Sequence, residues 1–280
     1  MNWTIVLIVA GTALFVALVI NLFKQRRLIK ELKAVAKSLE ESKAQIIAEQ
    51  ERTKRLKQEM TNNIAHELKT PVSSIMGFLD ILLGDKPLTE ERQRYYLQRC
   101  HSQGERLTDL ISDVSLINKL EESADLFPKE QLSLRDVVCD VVADLGEACA
   151  SQNVTVNVDL PERLIVNGNK NLLYSIFKNL IDNTVAYAGS GVTVRIECYN
   201  RTDDKFYIKY SDNGVGIDES FLPRLFDRFV RIDEGRSRKK GGTGLGLSIV
   251  KHAVQFHGGD IYVRNADNGG LEFYFSLNRN

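Results

Sequence analysis

The chain has 280 residues, which is long enough for two compact units with extensions. Its 37 lysine and arginine residues balance 37 aspartate and glutamate residues; a net charge of zero gives no overall field that attracts nucleic acid, so we expect no nucleic-acid partner. The four cysteines form no C-x-x-C pair, which excludes the common zinc-finger spacing, and the apolar surroundings of Cys139 and Cys149 predict buried free thiols.

The first predicted element is a membrane-spanning helix over residues 3–23, a stretch without any charged side chain. A helix of this length crosses the ~30 Å hydrocarbon core of a bilayer. A signal peptide is the alternative, but a basic start, a shorter apolar run and a small-residue cleavage site are not evident. Lys24, Arg26 and Arg27 follow at once, which predicts a single span in the lipid bilayer, a cytoplasmic remainder and no extracellular ligand-binding domain.

Residues 24–55 show a heptad pattern with polar positions in its middle. Leucine, valine and isoleucine recur on a three-four spacing, and Ser42, Glu49 and Thr53 occupy the same seam. This pattern predicts a parallel coiled coil, and therefore a homodimer, with a single solvated helix as the alternative. The apolar seam positions are Leu28, Leu32, Val35, Leu39 and Ile46.

Residues 56–126 are predicted to form a helical hairpin. The first seam continues through Leu56 and Met60, and a second helix is expected to begin at Thr89, an N-cap followed by two glutamates. Residues 83–87 supply the turn, and two hairpins from two chains would bury their seams in a four-helix bundle. The seam of the second helix comprises Tyr96, Cys100, Gln103, Leu107, Leu110, Val114 and Ile117.

Residues 129–280 have a different pattern, which begins after Phe127-Pro128. Short runs of alternating apolar and polar residues predict strands at 154–158, 192–196, 206–210 and 271–277. Helical periodicity is found before the first of these strands, at 134–145, and between the strands, at 170–187 and 245–257. The predicted fold is α+β, with helices on one face of a mixed sheet.

The first chemical motif is H-E-L-K-T-P, which begins at His66 on the predicted first helix. The neutral imidazole is abundant at neutral pH, so histidine can act as a nucleophile. Glu67 can hold or accept the imidazole proton, which leaves the other ring nitrogen free to attack. Pro71 removes a backbone hydrogen bond and is expected to bend the helix just past the site. A lone helical histidine is usually a surface or packing residue, but the motif favours a chemical role here.

The second motif is a pair of asparagines, Asn179 and Asn183, which are four residues apart and so project from one helix face. Amide oxygens are suitable ligands for Mg²⁺ when phosphates complete the coordination shell.

Two glycine loops follow, at 212–217 and 241–248. Glycines allow close approach of the backbone to a nucleotide and offer N–H groups at a helix start. Neither loop has the ending of a P-loop or the strand–helix context of a dinucleotide-binding turn. Arg231 and a basic run at 236–240 lie between them; phosphate binding and simple solvation are both open for the run.

Together, in this order, these motifs resemble those of bacterial two-component sensor histidine kinases, over about residues 55–280. The resemblance implies a dimerisation and phosphotransfer hairpin followed by an ATP-binding domain of the gyrase, heat-shock ATPase and MutL type. It implies that His66 is the phosphoacceptor, that Glu67 is its acid–base partner and that Thr70 positions water in a phosphatase reaction. The expected setting is the bacterial inner membrane, and the expected partner is a response regulator with a receiver domain.

The resemblance also implies a site for ATP and Mg²⁺. Asn183 would bind the metal, Asn179 would contact the phosphates or the metal, and Asp212 would accept the adenine amino group. Arg231 would assist at the phosphates. Tyr187, Gly214, Gly216 and Ile217 would shape the adenine pocket, and the phosphate-binding lid would comprise Gly242, Thr243, Gly244, Leu245, Gly246 and Leu247.

The chain departs from the family pattern at Ala186, where a lysine is common, so one phosphate contact is missing. Lys178 or the basic run is the candidate replacement. Thr184 and Leu271 also differ from the family pattern, with an expected effect on packing only. The departure at Ala186 motivates a second hypothesis, a weakly catalytic or phosphatase-biased signalling scaffold. A chaperone-like or topoisomerase-like ATPase would share the nucleotide fold, but the His66 motif argues against it.

Overall fold

The computed structural model describes residues 3–84, 87–122, 126–232 and 242–279. The chain divides into two units, Met1–Asn62 and Asn63–Asn280. Part of the predicted hairpin turn, at residues 85–86, and the basic run at 236–240 lie outside the described residues.

The first unit is helical and consists of the first part of helix α1 (Trp3–Leu83). Its described polar contacts are local ones along the helix, such as the 3.9 Å ion pair between Lys37 and Glu41. The predicted seam residues Leu32, Leu39 and Ile46 are exposed in the single chain. Their exposure leaves the seam open to a second copy of the chain, and the coiled coil stays a prediction. The side chains of Leu28 and Val35 lie outside the described part.

The predicted membrane span at 3–23 is helical throughout, but its side chains are described only in part. Those of residues 3–10, Ala13 and Ala17 lie outside the description, whereas Leu14, Phe15 and Leu18 are exposed. Within the described residues, no helical stretch is both long and apolar enough to cross a bilayer. The membrane span therefore stays a prediction.

The second unit begins with the helical hairpin, formed by the C-terminal part of α1 and by α2 (Glu90–Glu122). As predicted, Thr89 precedes α2, and its hydroxyl accepts a hydrogen bond from the backbone N–H of Arg92 at 3.4 Å. Helix α1 continues through Pro71, whose ring is buried. The seam residues Leu110 and Ile117 are buried, so the predicted hairpin is confirmed.

The rest of the second unit is an α/β domain, whose sheet is mixed as predicted. The central sheet has the order β2-β4-β5-β7-β6; β2 and β4 are parallel, the other neighbours are antiparallel, and β1 and β3 form a separate antiparallel pair. The elements are β1 (Glu130–Ser133), α3 (Leu134–Asp144), α4 (Gly146–Ser151), β2 (Thr155–Asp159), β3 (Ile165–Gly168), α5 (Lys170–Asn183), a π-helical turn (Thr184–Ala188), β4 (Thr193–Arg201), β5 (Lys205–Asp212), a 3-10 turn (Glu219–Arg224), α6 (Gly246–Phe256), β6 (Ile261–Asn265) and β7 (Leu271–Asn278).

The core lies between the sheet and the helices α3, α5 and α6. Burial alternates along β5, where Phe206, Ile208 and Tyr210 point inward. Phe177 of α5 and Val250 of α6 are fully buried against this face, because both helices present an apolar stripe at helical spacing. Helix α5 packs on both α3 and α6, and α6 also packs on α2 of the hairpin. The packing thus places α6, and with it the second glycine motif, beside the hairpin.

Two expectations from the sequence require correction. Cys149 is buried, but Cys139 is exposed, because it lies off the apolar stripe of α3 that Leu134, Val137, Val138 and Val141 form. Thr184 also takes part in a buried hydrogen-bond network, in addition to packing. Its hydroxyl lies 2.7 Å from that of buried Tyr210, which in turn donates to the backbone carbonyl of Leu180 at 3.0 Å.

A buried histidine connects the end of α6 to the start of α5 and, through Asn169, to the first residues of the α/β domain. His257, at the end of α6, is 1% exposed; its Nε2 accepts from the backbone N–H of Asn169 at 3.1 Å, and its Nδ1 donates to the carbonyl of Ala253 at 2.7 Å. The Asn169 amide also donates to the carbonyl of Pro128 at 3.0 Å. Burial lowers the pKa of His257 to about 4, so the ring is held neutral.

Acidification should destabilise the fold through His257. The unfolded chain binds a proton at this ring below its ordinary pKa of 6.5, whereas the folded chain excludes it until about 4. The contribution of the neutral His257 ring to the free energy of unfolding is therefore complete above pH 6.5 and is lost as the pH falls towards 4. Its total is roughly 3 kcal/mol. Urea unfolding of the purified chain at several pH values measures it. The variant His257→Gln should lose most of the pH dependence above about pH 5, where carboxylates contribute little; an unchanged slope would exclude His257 as the cause.

Candidate active site

His66 lies on the exposed side of α1 within the hairpin. The hydroxyl of Thr70, one turn later, donates to the backbone carbonyl of His66 at 3.2 Å. A solvent-facing imidazole on a helix is accessible to a reagent brought from outside the hairpin. The arrangement therefore suits a nucleophile that meets its substrate from another part of the protein.

Glu67 lies beside His66 in the sequence, and its side chain is mostly covered. Its Oε2 accepts from Nη2 of Arg231 at 2.8 Å, and Nη2 of Arg106 lies 3.7 Å from the same oxygen. Arg231 also donates to the backbone carbonyl of Gly242. The structure thus brings together Glu67, Arg231 and the glycine motif, three parts of the predicted site that are remote in sequence. Sequence reasoning missed Arg106, because an arginine on an amphipathic helix is usually a solvated residue.

The end of helix α5 faces the second glycine motif. The amide nitrogen of Asn179 donates to the carbonyl of Ser175 at 2.8 Å, and its oxygen is directed at Gly246, where a Cβ would lie only 2.6 Å away. Asn183 is the last residue of α5, and Tyr187 follows in the π-helical turn. A glycine that leaves space beside an amide oxygen fits a phosphate and Mg²⁺ site built from these two asparagines.

The first glycine loop surrounds the carboxylate of Asp212, at the end of β5. Its Oδ1 accepts from the backbone N–H of Gly214 at 2.9 Å and from that of Leu271 at 3.4 Å. Burial raises the pKa of this carboxyl group. A buried carboxylate held by backbone donors can accept a further N–H from a ligand, such as an amino group on an aromatic base. Gly214 packs so closely on Ala188 that a Cβ there would lie 2.5 Å from the alanine Cβ.

Asn265, at the end of β6, holds the same loop and was not identified from the sequence. Its Oδ1 accepts from the backbone N–H of Ile217 at 3.0 Å, and its amide nitrogen donates to the carbonyl of that residue at 2.8 Å. Gly216 has a φ of +66°, and a Cβ there would lie 2.9 Å from the asparagine oxygen. One side chain thus satisfies both backbone groups of Ile217 and fixes the turn beside Asp212.

The second glycine motif leads into α6. Thr243 accepts from the backbone N–H of Leu245 at 3.2 Å through its hydroxyl, which donates to Oδ2 of Asp113 at 3.0 Å. Gly244 has a φ of +73°, which glycine adopts without strain. Leu245 is buried, and Gly246 and Leu247 begin α6, where free backbone N–H groups favour an anion.

Asp113 lies on α2 and belongs to the hairpin. Burial is the main cause that raises the pKa of its carboxyl group, and the nearby Asp109 adds to the shift, whereas the Thr243 hydroxyl opposes it. Covered carboxylates of this kind are frequent at functional sites, although structural pairs produce the same effect.

A third contact joins the same surfaces further along α2. Glu121 pairs with Arg228, and Nε2 of His252 on α6 lies 3.4 Å from the same carboxylate oxygen. In all three contacts the hairpin supplies the carboxylate and the α/β domain supplies the cation or hydroxyl. Two of those groups, on Arg231 and Thr243, are predicted phosphate ligands. Lys178, the candidate replacement for the lysine missing at Ala186, is paired with Asp182 at 2.7 Å.

Comparison with protein families assigns both parts of the second unit. Residues 56–123 match the His Kinase A (phospho-acceptor) domain, and residues 168–280 match the histidine kinase-, DNA gyrase B-, and HSP90-like ATPase. The chain is 31% identical over 234 residues to the sensor histidine kinase WalK of Bacillus subtilis (strain 168), a match that covers 82% of this chain and 38% of WalK. It is also 31% identical over 232 residues to the sensor-like histidine kinase SenX3 of Mycolicibacterium smegmatis, with 82% and 59% covered. The chain thus spans less than two thirds of either relative.

Solved structures share the fold. The histidine kinase AdeS of Acinetobacter baumannii has a TM-score of 0.62 at 23% identity and covers 77% of this chain and 98% of its own. The histidine kinase ThkA, in complex with the response regulator protein TrrA, has a TM-score of 0.62 at 21% identity and covers 79% of this chain and 61% of its own. With a phosphoacceptor hairpin and an ATPase domain in this order, the chain belongs to the sensor histidine kinases of two-component systems.

Proposed function

We propose that this protein autophosphorylates His66 from ATP and passes the phosphoryl group to an aspartate of a separate response regulator. The observation that carries the proposal is the 2.8 Å contact between Arg231 and Glu67. It places a predicted phosphate ligand of the ATP domain beside the residue that follows the predicted acceptor. The ThkA complex with a response regulator supports the same kind of partner.

The proposed step is an in-line displacement. A ring nitrogen of His66 attacks the γ-phosphorus, the bond from that phosphorus to the bridging oxygen of ADP breaks, and ADP leaves with the electron pair. Glu67 accepts the imidazole proton as the new N–P bond forms. Phosphoryl transfer of this type depends mainly on positioning and on neutralisation of charge, which Arg231 and the N–H groups at the start of α6 would supply.

The α/β domain that carries Arg231 would also supply the nucleotide site. Asp212 would accept the adenine amino group, in a pocket shaped by Tyr187 and by the loop that Asn265 holds. Asn183 would hold Mg²⁺, and Asn179 would contact the phosphates or the metal; the ion, when bound, would neutralise phosphate charge. The pocket residues Gly214, Gly216 and Ile217 and the lid residues Gly242, Thr243, Gly244, Leu245, Gly246 and Leu247 complete the proposed site.

The proposed setting is the bacterial inner membrane. Residues 3–23 would anchor the protein, 24–55 would form a dimeric coiled coil, 56–126 the phosphotransfer bundle, and 129–280 the ATP-binding domain. Thr70 would position water when the protein acts as a phosphatase of its regulator. The uncharged stretch followed by Lys24, Arg26 and Arg27 supports the anchor, and the exposed seam supports the homodimer.

Loss of the acceptor should abolish labelling. Purified chain incubated with γ-labelled ATP and Mg²⁺ is expected to acquire an acid-labile phosphate, and His66→Gln should acquire none, because glutamine lacks a nucleophilic nitrogen. The matched control is His101→Gln, on α2, where the exposed histidine lies 3.5 Å from Glu105. A label that persists in His66→Gln, or the absence of label in the folded wild type, would refute the proposal.

The hairpin should compete with the nucleotide for Thr243. Asp113→Ala releases the threonine hydroxyl and removes a negative charge near the proposed phosphate site, so ATP should bind about three- to tenfold more tightly. Calorimetric titration with a non-hydrolysable ATP analogue and Mg²⁺ measures this affinity. Asp109→Ala, one turn away on the exposed side of α2, serves as the control and should change it much less. If Asp113→Ala bound the ATP analogue no more tightly than the wild type does, Asp113 would not compete with the nucleotide for Thr243.

A second candidate function is a weakly catalytic or phosphatase-biased signalling scaffold. The observation in its favour is that Ala186 stands where the family commonly has lysine, while Lys178 is engaged by Asp182. If this candidate is correct, wild-type labelling should be slow, and Ala186→Lys should raise its rate at least about tenfold by restoring a phosphate contact. The control is Ala143→Lys, placed at the exposed end of α3. A fast wild type that gains nothing from Ala186→Lys would favour the active kinase.

A further inference from the structure

We infer that Arg106 is a positioning residue that holds Glu67 ready to accept the proton of His66. The inference rests on the proposed kinase function and assigns a role within it to a residue outside the sequence motifs. Arg106 lies on α2, opposite the turn of α1 that carries His66 and Glu67.

The geometry is a carboxylate between two guanidinium groups. Arg106 and Arg231 both approach Oε2 of Glu67, at 3.7 and 2.8 Å. The side chains of Arg106, Glu67 and Arg231 are only 16%, 21% and 12% exposed. A carboxylate so far removed from water requires a compensating cation, because desolvation of an unpaired charge is costly.

The two arginines belong to different parts of the protein. Arg231 is in the ATP domain and, in the proposed reaction, is needed at the phosphates. Arg106 is in the same hairpin as Glu67, so it stays in place when Arg231 turns to the nucleotide. Arg106 would then be the remaining cation that pairs with the Glu67 carboxylate and fixes its orientation, which proton transfer from His66 requires.

Arg99 shows that this contact is not general for arginines of α2. It lies seven residues earlier on the same helix, is exposed, and donates within its own helix to the Tyr95 hydroxyl at 3.1 Å. Arg106 instead reaches across the hairpin to the turn that carries the acceptor. Arg99→Ala is therefore a control matched in residue type, helix and charge change.

The test is the rate of His66 phosphorylation in the full chain as a function of ATP concentration. Arg106→Ala should lower kcat about tenfold or more and leave KM for ATP within about twofold, because Arg231 still pairs with Glu67 in the absence of ATP, whereas the proton transfer that Arg106 assists belongs to the chemical step. Arg106→Lys should restore part of the rate, since it returns the charge without the planar fork. Arg99→Ala should behave as the wild type.

A double-mutant cycle separates positioning from a merely structural role. In the Glu67→Gln background, Arg106→Ala should cause little further loss of kcat, because the carboxylate it acts on is already absent. An equal loss in both backgrounds, a normal kcat in folded Arg106→Ala, or a change confined to KM would overturn the inference. If Arg106→Ala does not fold, as judged by circular dichroism, Arg106→Gln takes its place in the cycle.

The same measurements keep the two proposals apart. A wild-type chain that acquires no phosphate on His66 would refute the kinase function, and the role of Arg106 with it. A wild-type chain that is labelled, with Arg106→Ala labelled at the same rate, would refute the role of Arg106 alone.

Discussion

The ion pair between Glu67 and Arg231 is the contact on which the arrangement of the second unit depends. It joins a helix of the hairpin to the loop before the second glycine motif, across 164 residues of sequence. The pairs Asp113–Thr243 and Glu121–Arg228 lie along the same interface, where α2 packs on α6. Each pair has its carboxylate on the hairpin, so the two surfaces are complementary in charge and their register is fixed.

This complementarity has a consequence for the nucleotide. A carboxylate and a phosphate oxygen make the same demand on an arginine or a hydroxyl group, namely a donor directed at a negative charge. In the arrangement observed here, Glu67 and Asp113 occupy donors that the proposed reaction assigns to ATP. Binding of ATP and this docking of the hairpin would therefore be linked, and each would weaken the other by the same factor. The same exchange would free Glu67 for His66 when the phosphate arrives.

Local patterns were sufficient to predict the hairpin, the helices α3, α5 and α6 and four of the five strands of the mixed sheet, because heptad spacing, alternation and capping residues act over a few positions. The short helix α4 and the strand β6 were not predicted. The strands β1 and β3, with four residues each, are too short for alternation to be visible. Arg106, Asp113 and Asn265 could not be identified for a different reason. Their partners lie on other elements, 39, 130 and 48 residues away for Glu67, Thr243 and Ile217, and only the tertiary packing decides which polar side chain meets which.

The hairpin exposes an apolar surface that a partner could cover. Beside the acceptor turn, a groove of about 380 Å³ opens between its helices, lined mainly by Ile64, Leu68, Leu110, Ile111 and Val114. Ile111 is exposed there, as are Val72 and Met76 further along α1. An exposed apolar surface of this kind is unfavourable in water and is what one half of a four-helix bundle presents. The proposed dimer would cover the groove with the same surface of a second chain, and His66, on the exposed side of α1, would then be held on a rigid support.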